Sequence, residues 1–109
     1  MAEMPGKDAH YLRGIRDALI DRASEKMNAE VGAILARADL TARAKRVEVH
    51  RVVQRHHHMI ALCFEDWKRS TMWLKCRLMV KHRILEEKDL AGVSSETAEH
   101  IRAMRTDEV

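Results

Sequence analysis

The sequence predicts an all-α, elongated protein built on one long central helix with flanking helices. Three observations carry that expectation. Aromatic residues make up only 4% of the chain although hydrophobic residues reach 46%. The balance is Ala, Leu, Met, Arg, Lys and Glu, which favour helix, whereas strand-rich domains lean on aromatic and β-branched side chains. Pro5 is the only proline, and Gly6, Gly14, Gly32 and Gly92 are the only glycines. Loops draw on clusters of Gly, Pro, Asn, Asp or Ser, and none stands out between Lys7 and Ala91. Finally, apolar residues recur with the period of a helix. A compact helical hairpin or three-helix bundle is the alternative architecture for the same pattern.

The 109 residues suffice for one structural unit. Residues 1–7 are expected to be flexible. Asp8, just after Pro5-Gly6, is placed to cap a first helix over 8–38. Within it Leu12, Ile15 and Leu19 share one stripe, and Met27, Val31, Ile34 and Ala38 share another, turned by about 100°. The phase slips across Asp21–Lys26, which calls for a kink or a change of packing partner. Asp39 either caps a restart of the chain or lies in a helix running through it. The central helix then spans 40–91. Its fifty-odd residues would extend about 75 Å, and Gly92 is a suitable stop. Ser94 or Ser95 caps a last short helix over 94–106, with Glu96 and Glu99 in its first turn. The tail from Thr106 is expected to fray.

Net charge is +3, unevenly spread. Residues 37–83 hold twelve Lys/Arg against four Asp/Glu, a surplus of eight, while 1–36 sum to −1 and 84–109 to −4. A basic middle between acidic ends suits an acidic partner. Cys63 and Cys76 fall 13 residues apart in one predicted helix, roughly 20 Å and too far for a disulfide. Reduced thiols suit a reducing compartment such as the cytosol. The opening stretch MAEMPGKDAHYLRG lacks the apolar core of a signal peptide, and no apolar run approaches the ~20 residues of a membrane span.

The stretch HHHMIALCFEDWKRSTMWLKC, residues 56–76, holds both tryptophans, both cysteines and the only phenylalanine. On a helix, Ile60, Phe64, Trp67, Leu74 and Leu78 fall on one face, within about 40° of Ile60. Trp73, Cys76, Val80 and Ile84 fall on the opposite face. A helix apolar nearly all round must be covered nearly all round, and little other chain is left to do it. These residues are therefore candidates for partner binding. Arg43, Lys45, Arg46, Arg51 and Arg55 before them, with Arg69, Lys75, Arg77, Lys81 and Arg83 after, would steer an acidic partner.

Metal and catalytic readings find little purchase. His56, His57 and His58 diverge by about 100° per residue on a helix, and no His/Cys pair here has the i,i+3 or i,i+4 spacing of helical ligands. No cofactor or metal is expected. The sequence has no Gly-rich phosphate loop, no nucleophile elbow and no carboxylate pair plainly set in a cleft, so a non-enzymatic role is expected.

Residues 59–68 read Met-Ile-Ala-Leu-Cys-Phe-Glu-Asp-Trp-Lys. This resembles the centrin-binding repeat of the long-helix scaffolds of spindle poles and basal bodies. That repeat runs roughly Leu-Leu, three residues, Phe or Leu, two residues, Trp, then Lys or Arg. Met59 and Ile60 take the places of the Leu pair; Phe64, Trp67 and Lys68 match outright. Arg51 stands where the family has a small residue, and the motif occurs once where the family repeats it. The resemblance implies a continuous helix wrapped by an acidic, calcium-binding EF-hand protein. The expected function is a helical scaffold or interaction subunit of a larger, cytoskeletal assembly in the cytoplasm, bound by a centrin- or calmodulin-like protein or by tubulin. Two alternatives remain: a small basic helical protein binding nucleic acid through residues 37–55, and an accessory subunit of an organellar complex.

Overall fold

The computed structural model describes residues 3–107. Helix α1 runs Gly6–Gly14, α2 Arg16–Leu35, α3 Ala42–Phe64, α4 Met72–Lys81 and α5 Ser95–Asp107, with a 3-10 helix over Glu87–Gly92 before α5. The chain is all-α, and no strand occurs among the described residues. Its extents are 51 × 25 × 21 Å and its radius of gyration is 16.4 Å, against about 13 Å for a compact domain of this length. The elongation comes from α2 and α3, which pack side by side as a helical hairpin projecting from a root made by the other elements.

Besides a small break at Ile15, three breaks interrupt what the sequence presents as two long helices. The first falls at residues 36–41, where the chain reverses. Thr41, not Asp39, caps α3, accepting from the Ala44 N–H at 3.1 Å; Asp39 instead pairs with Arg37 at 2.6 Å. The second break ends α3 at Phe64. Asp66 takes a left-handed φ of 58°, a conformation Asp tolerates better than most residues. The Thr71 hydroxyl then closes the loop, accepting from the Lys68 N–H at 3.0 Å and donating to the Asp66 carbonyl at 2.6 Å. The third ends α4 at Lys81. Arg83 is left-handed at φ 58°, the Ile84 N–H reaches back to the Met79 carbonyl at 2.8 Å, and the Arg83 N–H reaches Val80 at 3.0 Å. This is a Schellman closure, with arginine where glycine is usual.

The single central helix expected over 40–91 is thus corrected to α3, α4 and the 3-10 helix. The signals that end α3 and α4 are an Asp, a Thr and the backbone's own hydrogen bonds rather than Gly or Pro. The N-terminal stretch is corrected too. Met4 is fully buried and α1 begins at Gly6, behind Pro5; residues 1 and 2 lie outside the described residues, as do 108 and 109. The phase slip in α2 corresponds to a change of partner. Leu19 and Ala23 are buried in the main core, while Met27, Val31 and Ile34 are only half-buried in the hairpin. A small break at Ile15 separates α1 from α2.

The core sits wholly at the root. Leu12, Leu19, Cys63, Met72, Cys76, Met79, Ile84 and Ile101 are fully buried there. Long polar side chains lock the root. Arg22 of α2 donates twice to the Asp89 carboxylate, at 2.6 and 3.2 Å, and once to the Ile84 carbonyl at 2.7 Å. Lys75 donates to the Leu62 carbonyl at 2.6 Å, and Arg16 to that of Phe64 at 2.8 Å, satisfying carbonyls that the end of α3 leaves without helical partners.

Candidate interaction surface

The residues expected to bind a partner on two faces of one helix are mostly used by the chain itself. Met59, Phe64, Cys76, Val80 and Ile84 are core residues. Ile60, Trp67, Trp73 and Leu78 are half-buried against that core. The Trp67 ring stacks on Phe64 with centroids 5.7 Å apart, the Arg16 guanidinium lies 5.8 Å from it, and its indole N–H donates to the Cys63 carbonyl at 2.7 Å. Trp73 stacks on His100 of α5 at 4.2 Å. Lys68 and Leu74 alone of the set are exposed, Leu74 at 55%. The physical reason is the break at 65–71: it lets α4 fold back, so that the chain covers from both sides what a straight helix would have shown to others. The same break ends α3 before Trp67, so residues 59–68 do not form the continuous helix that the centrin-binding resemblance implies.

The expected steering residues divide as well. Lys75 is buried against Leu62. Arg69 donates to the Met4 carbonyl at 3.0 Å and lies 3.9 Å from Glu3, and Arg77 is also engaged. Lys81 and Arg83 are exposed at the end of α4. Lys45 reaches the Leu35 carbonyl at 2.9 Å, Arg51 pairs with Glu48 at 3.2 Å, and Arg55 pairs with Glu30. Arg43 and Arg46 are exposed, and their side chains make no ion pair or hydrogen bond with the described residues.

What the structure does bring together is the outer face of α3. Between Arg43 and His58 its exposed residues are Arg43, Arg46, Val47, His50, Arg51, Gln54, Arg55, His57 and His58. None is acidic; Glu48, the one carboxylate in this stretch, is half-exposed at the edge of the face and pairs with Arg51 at 3.2 Å. The arm that carries this face is thinly packed. From Ser24 through Arg51 no described side chain is buried. Met27, Val31, Ile34, Val49 and Val53 are half-covered, and Leu35 and Val47 are 56% and 47% exposed.

Where the arm joins the root, Glu30 accepts from His56 Nε2 at 2.9 Å and pairs with Arg55. The His56 hydrogen bond, with Arg55 beside it, holds the Glu30 carboxyl below its usual range against the opposing effect of burial. His56 itself is 6% exposed. This triad, and the Asp8 and Arg22–Asp89 contacts of the root, have no signature in sequence spacing, because each joins residues far apart in the chain.

Among the described residues no three His, Cys, Asp or Glu side chains are placed to hold a metal ion, and no helix is long and apolar enough to cross a membrane. In comparisons with known proteins, no family model, no curated protein and no solved structure matches the chain.

Proposed function

We propose that this chain is a non-enzymatic helical interaction subunit that docks on an acidic protein partner through its α2–α3 arm. The single observation that carries this reading is the pairing of a cation-rich face on α3, where Arg43 and Arg46 have no carboxylate partner among the described residues, with a half-covered apolar seam beside it. The cations supply encounter rate and orientation; the seam supplies area to bury, since the arm's own packing leaves Leu35 and Val47 largely in water. An EF-hand lobe or a tubulin surface offers the required acidic chemistry, and a cytoskeletal assembly would be the setting. The burial of Phe64 and the half-burial of Trp67 against it move the proposed contact away from residues 59–68 and onto Arg43, Arg46, His50 and His57.

The test is a titration of the purified chain with calcium-loaded centrin or calmodulin, with tubulin, and with duplex DNA, at low and moderate salt. Protein binding that loses about tenfold or more in affinity on Arg43→Glu plus Arg46→Glu, with folding stability held within about 0.5 kcal/mol, supports the reading. Binding to DNA alone, with a steep fall on added salt, replaces it with the nucleic-acid alternative.

A further inference from the structure

We propose that the cavity where the arm meets the root is a binding site for a small tetrahedral oxyanion of the phosphate class. Lys26 and Glu30 reach it from α2, Arg55, His56 and Met59 from α3, and His82 from the end of α4, around a volume of about 320 Å³. That is the lower end of the size range of ligand clefts, which starts at about 300 Å³.

The charge balance asks for an anion. Two fixed cations, Lys26 and Arg55, share this space with one carboxylate, and Glu30 is already used by Arg55 and His56. The side chains of Lys26 and His82 have neither hydrogen bond nor ion pair with the described residues. His56 Nδ1 is buried with no partner. Burial first, and the nearby Lys81 and His56 after it, hold His82 below its ordinary pKa.

A staple between α2 and α3 needs only Glu30, Arg55 and His56, and leaves Lys26 and His82 unexplained. An oxyanion seated between them accepts from the Lys26 ammonium, from an imidazole N–H of His82, and from the guanidinium donors of Arg55 that Glu30 does not use. A tetrahedral group has acceptors enough for donors supplied from α2, α3 and the turn after α4, which a planar carboxylate serves less well. The site shares Arg55 with the outer face of α3 but contains none of Arg43, Arg46, His50 and His57, and the inference does not rest on the docking role of the arm.

Thermal unfolding of the full chain in sodium phosphate, sodium glycerol phosphate and sodium sulfate, each against sodium chloride at matched ionic strength, tests it. Phosphate is expected to raise Tm by about 5 °C at a tenfold excess over Kd, with glycerol phosphate showing whether a monoester is admitted and sulfate whether any tetrahedral dianion suffices. Lys26→Ala and His82→Gln are each expected to remove most of the shift, while Arg43→Ala, outside the cavity, keeps it. ³¹P line broadening by the chain, lost in the same two variants, is a readout independent of stability. A shift equal to that in chloride, or one that survives both Lys26→Ala and His82→Gln, overturns the proposal.

Discussion

The carboxylate of Asp8, in the first turn of α1, accepts from the backbone N–H of Ser94 at 2.9 Å, from the Ser94 hydroxyl at 2.8 Å and from the Thr97 hydroxyl. One helix thus caps another 86 residues away. Burial pushes the carboxyl upward, but the hydrogen bonds from Thr97 and Ser94, with Lys7 nearby, outweigh it and hold its pKa below the usual value. Because the folded-state pKa is depressed, the contribution to stability is complete above the unfolded value, about 4, and is lost as pH falls through the folded one. Asp8→Ala is expected to cost about 2 kcal/mol in urea unfolding at neutral pH. The same variant should show a shallower loss of stability between about pH 5 and pH 3 than the parent chain. An unchanged pH profile would remove Asp8 from the linkage.

Much of this architecture is legible in the sequence at the level of class and little of it at the level of contacts. The helical period and the scarcity of Gly and Pro announce an all-α chain, and the fold is all-α. Asp8 reads as the cap of its own helix, yet α1 starts behind Pro5 and Asp8 is spent on α5. A capping side chain is recognisable by type, but the helix it caps is set by tertiary folding. The breaks at Asp66 and Arg83 fall at residues that adopt left-handed φ only when the surroundings require it. The apolar circumference of residues 59–84 is correctly a surface that must be covered. Periodicity cannot say whether the cover comes from another chain or, as here, from α1, α2 and α5 of the same one. The basic arm is legible as composition; which of its cations stay unpaired among the described residues, Arg43 and Arg46, emerges only once Arg51 is seen on Glu48 and Arg55 on Glu30.

The two indoles should therefore behave as packing residues. Trp67 rests on Phe64 beneath Arg16, and Trp73 lies on His100. Trp67→Ala and Trp73→Ala are each expected to destabilise the chain by about 2–3 kcal/mol, as truncation of a partly buried aromatic does. Urea titrations followed by circular dichroism measure this directly. Values within about 0.5 kcal/mol of the parent would mark the indoles as surface anchors instead.

Both cysteines should be chemically silent in the folded chain. Cys63 lies in α3 and Cys76 in α4, and both are free and fully buried. Burial pushes the Cys63 thiol up to about 11, with Lys75 opposing, and the Cys76 thiol to about 12. The thiolate is the reactive form, so at about pH 8 neither should react with DTNB at a rate above that of global unfolding, while guanidinium should release both thiols at once. Rapid labelling of one thiol in the native chain would show that α4 opens separately from the root.

The last prediction concerns Gly92, which suits the end of a long helix in sequence terms but has another duty in the fold. α4 has already ended at Lys81, and Gly92 closes the 3-10 helix at a backbone φ that is not left-handed. Its hydrogen side faces the ring of Tyr11. A Cβ built there would sit 2.0 Å from Cε1 and 2.3 Å from Cδ1 of that ring. The ring has little room to withdraw, because the Tyr11 hydroxyl donates to the Asp89 carbonyl at 2.8 Å and Asp89 is held by Arg22. Gly92→Ala must then push the 3-10 helix off α1 or break the tyrosine's hydrogen bond, at an expected cost of about 1–3 kcal/mol, in the range of overpacked sites. Gly14→Ala is the control: a Cβ there meets nothing within 4 Å, and at the end of a helix it should be neutral or slightly stabilising. The double variant Gly92→Ala, Tyr11→Ala distinguishes steric conflict from a backbone requirement. If the clash is the cause, adding Gly92→Ala to Tyr11→Ala costs little; an undiminished penalty in the double variant would place the need for glycine in the backbone itself.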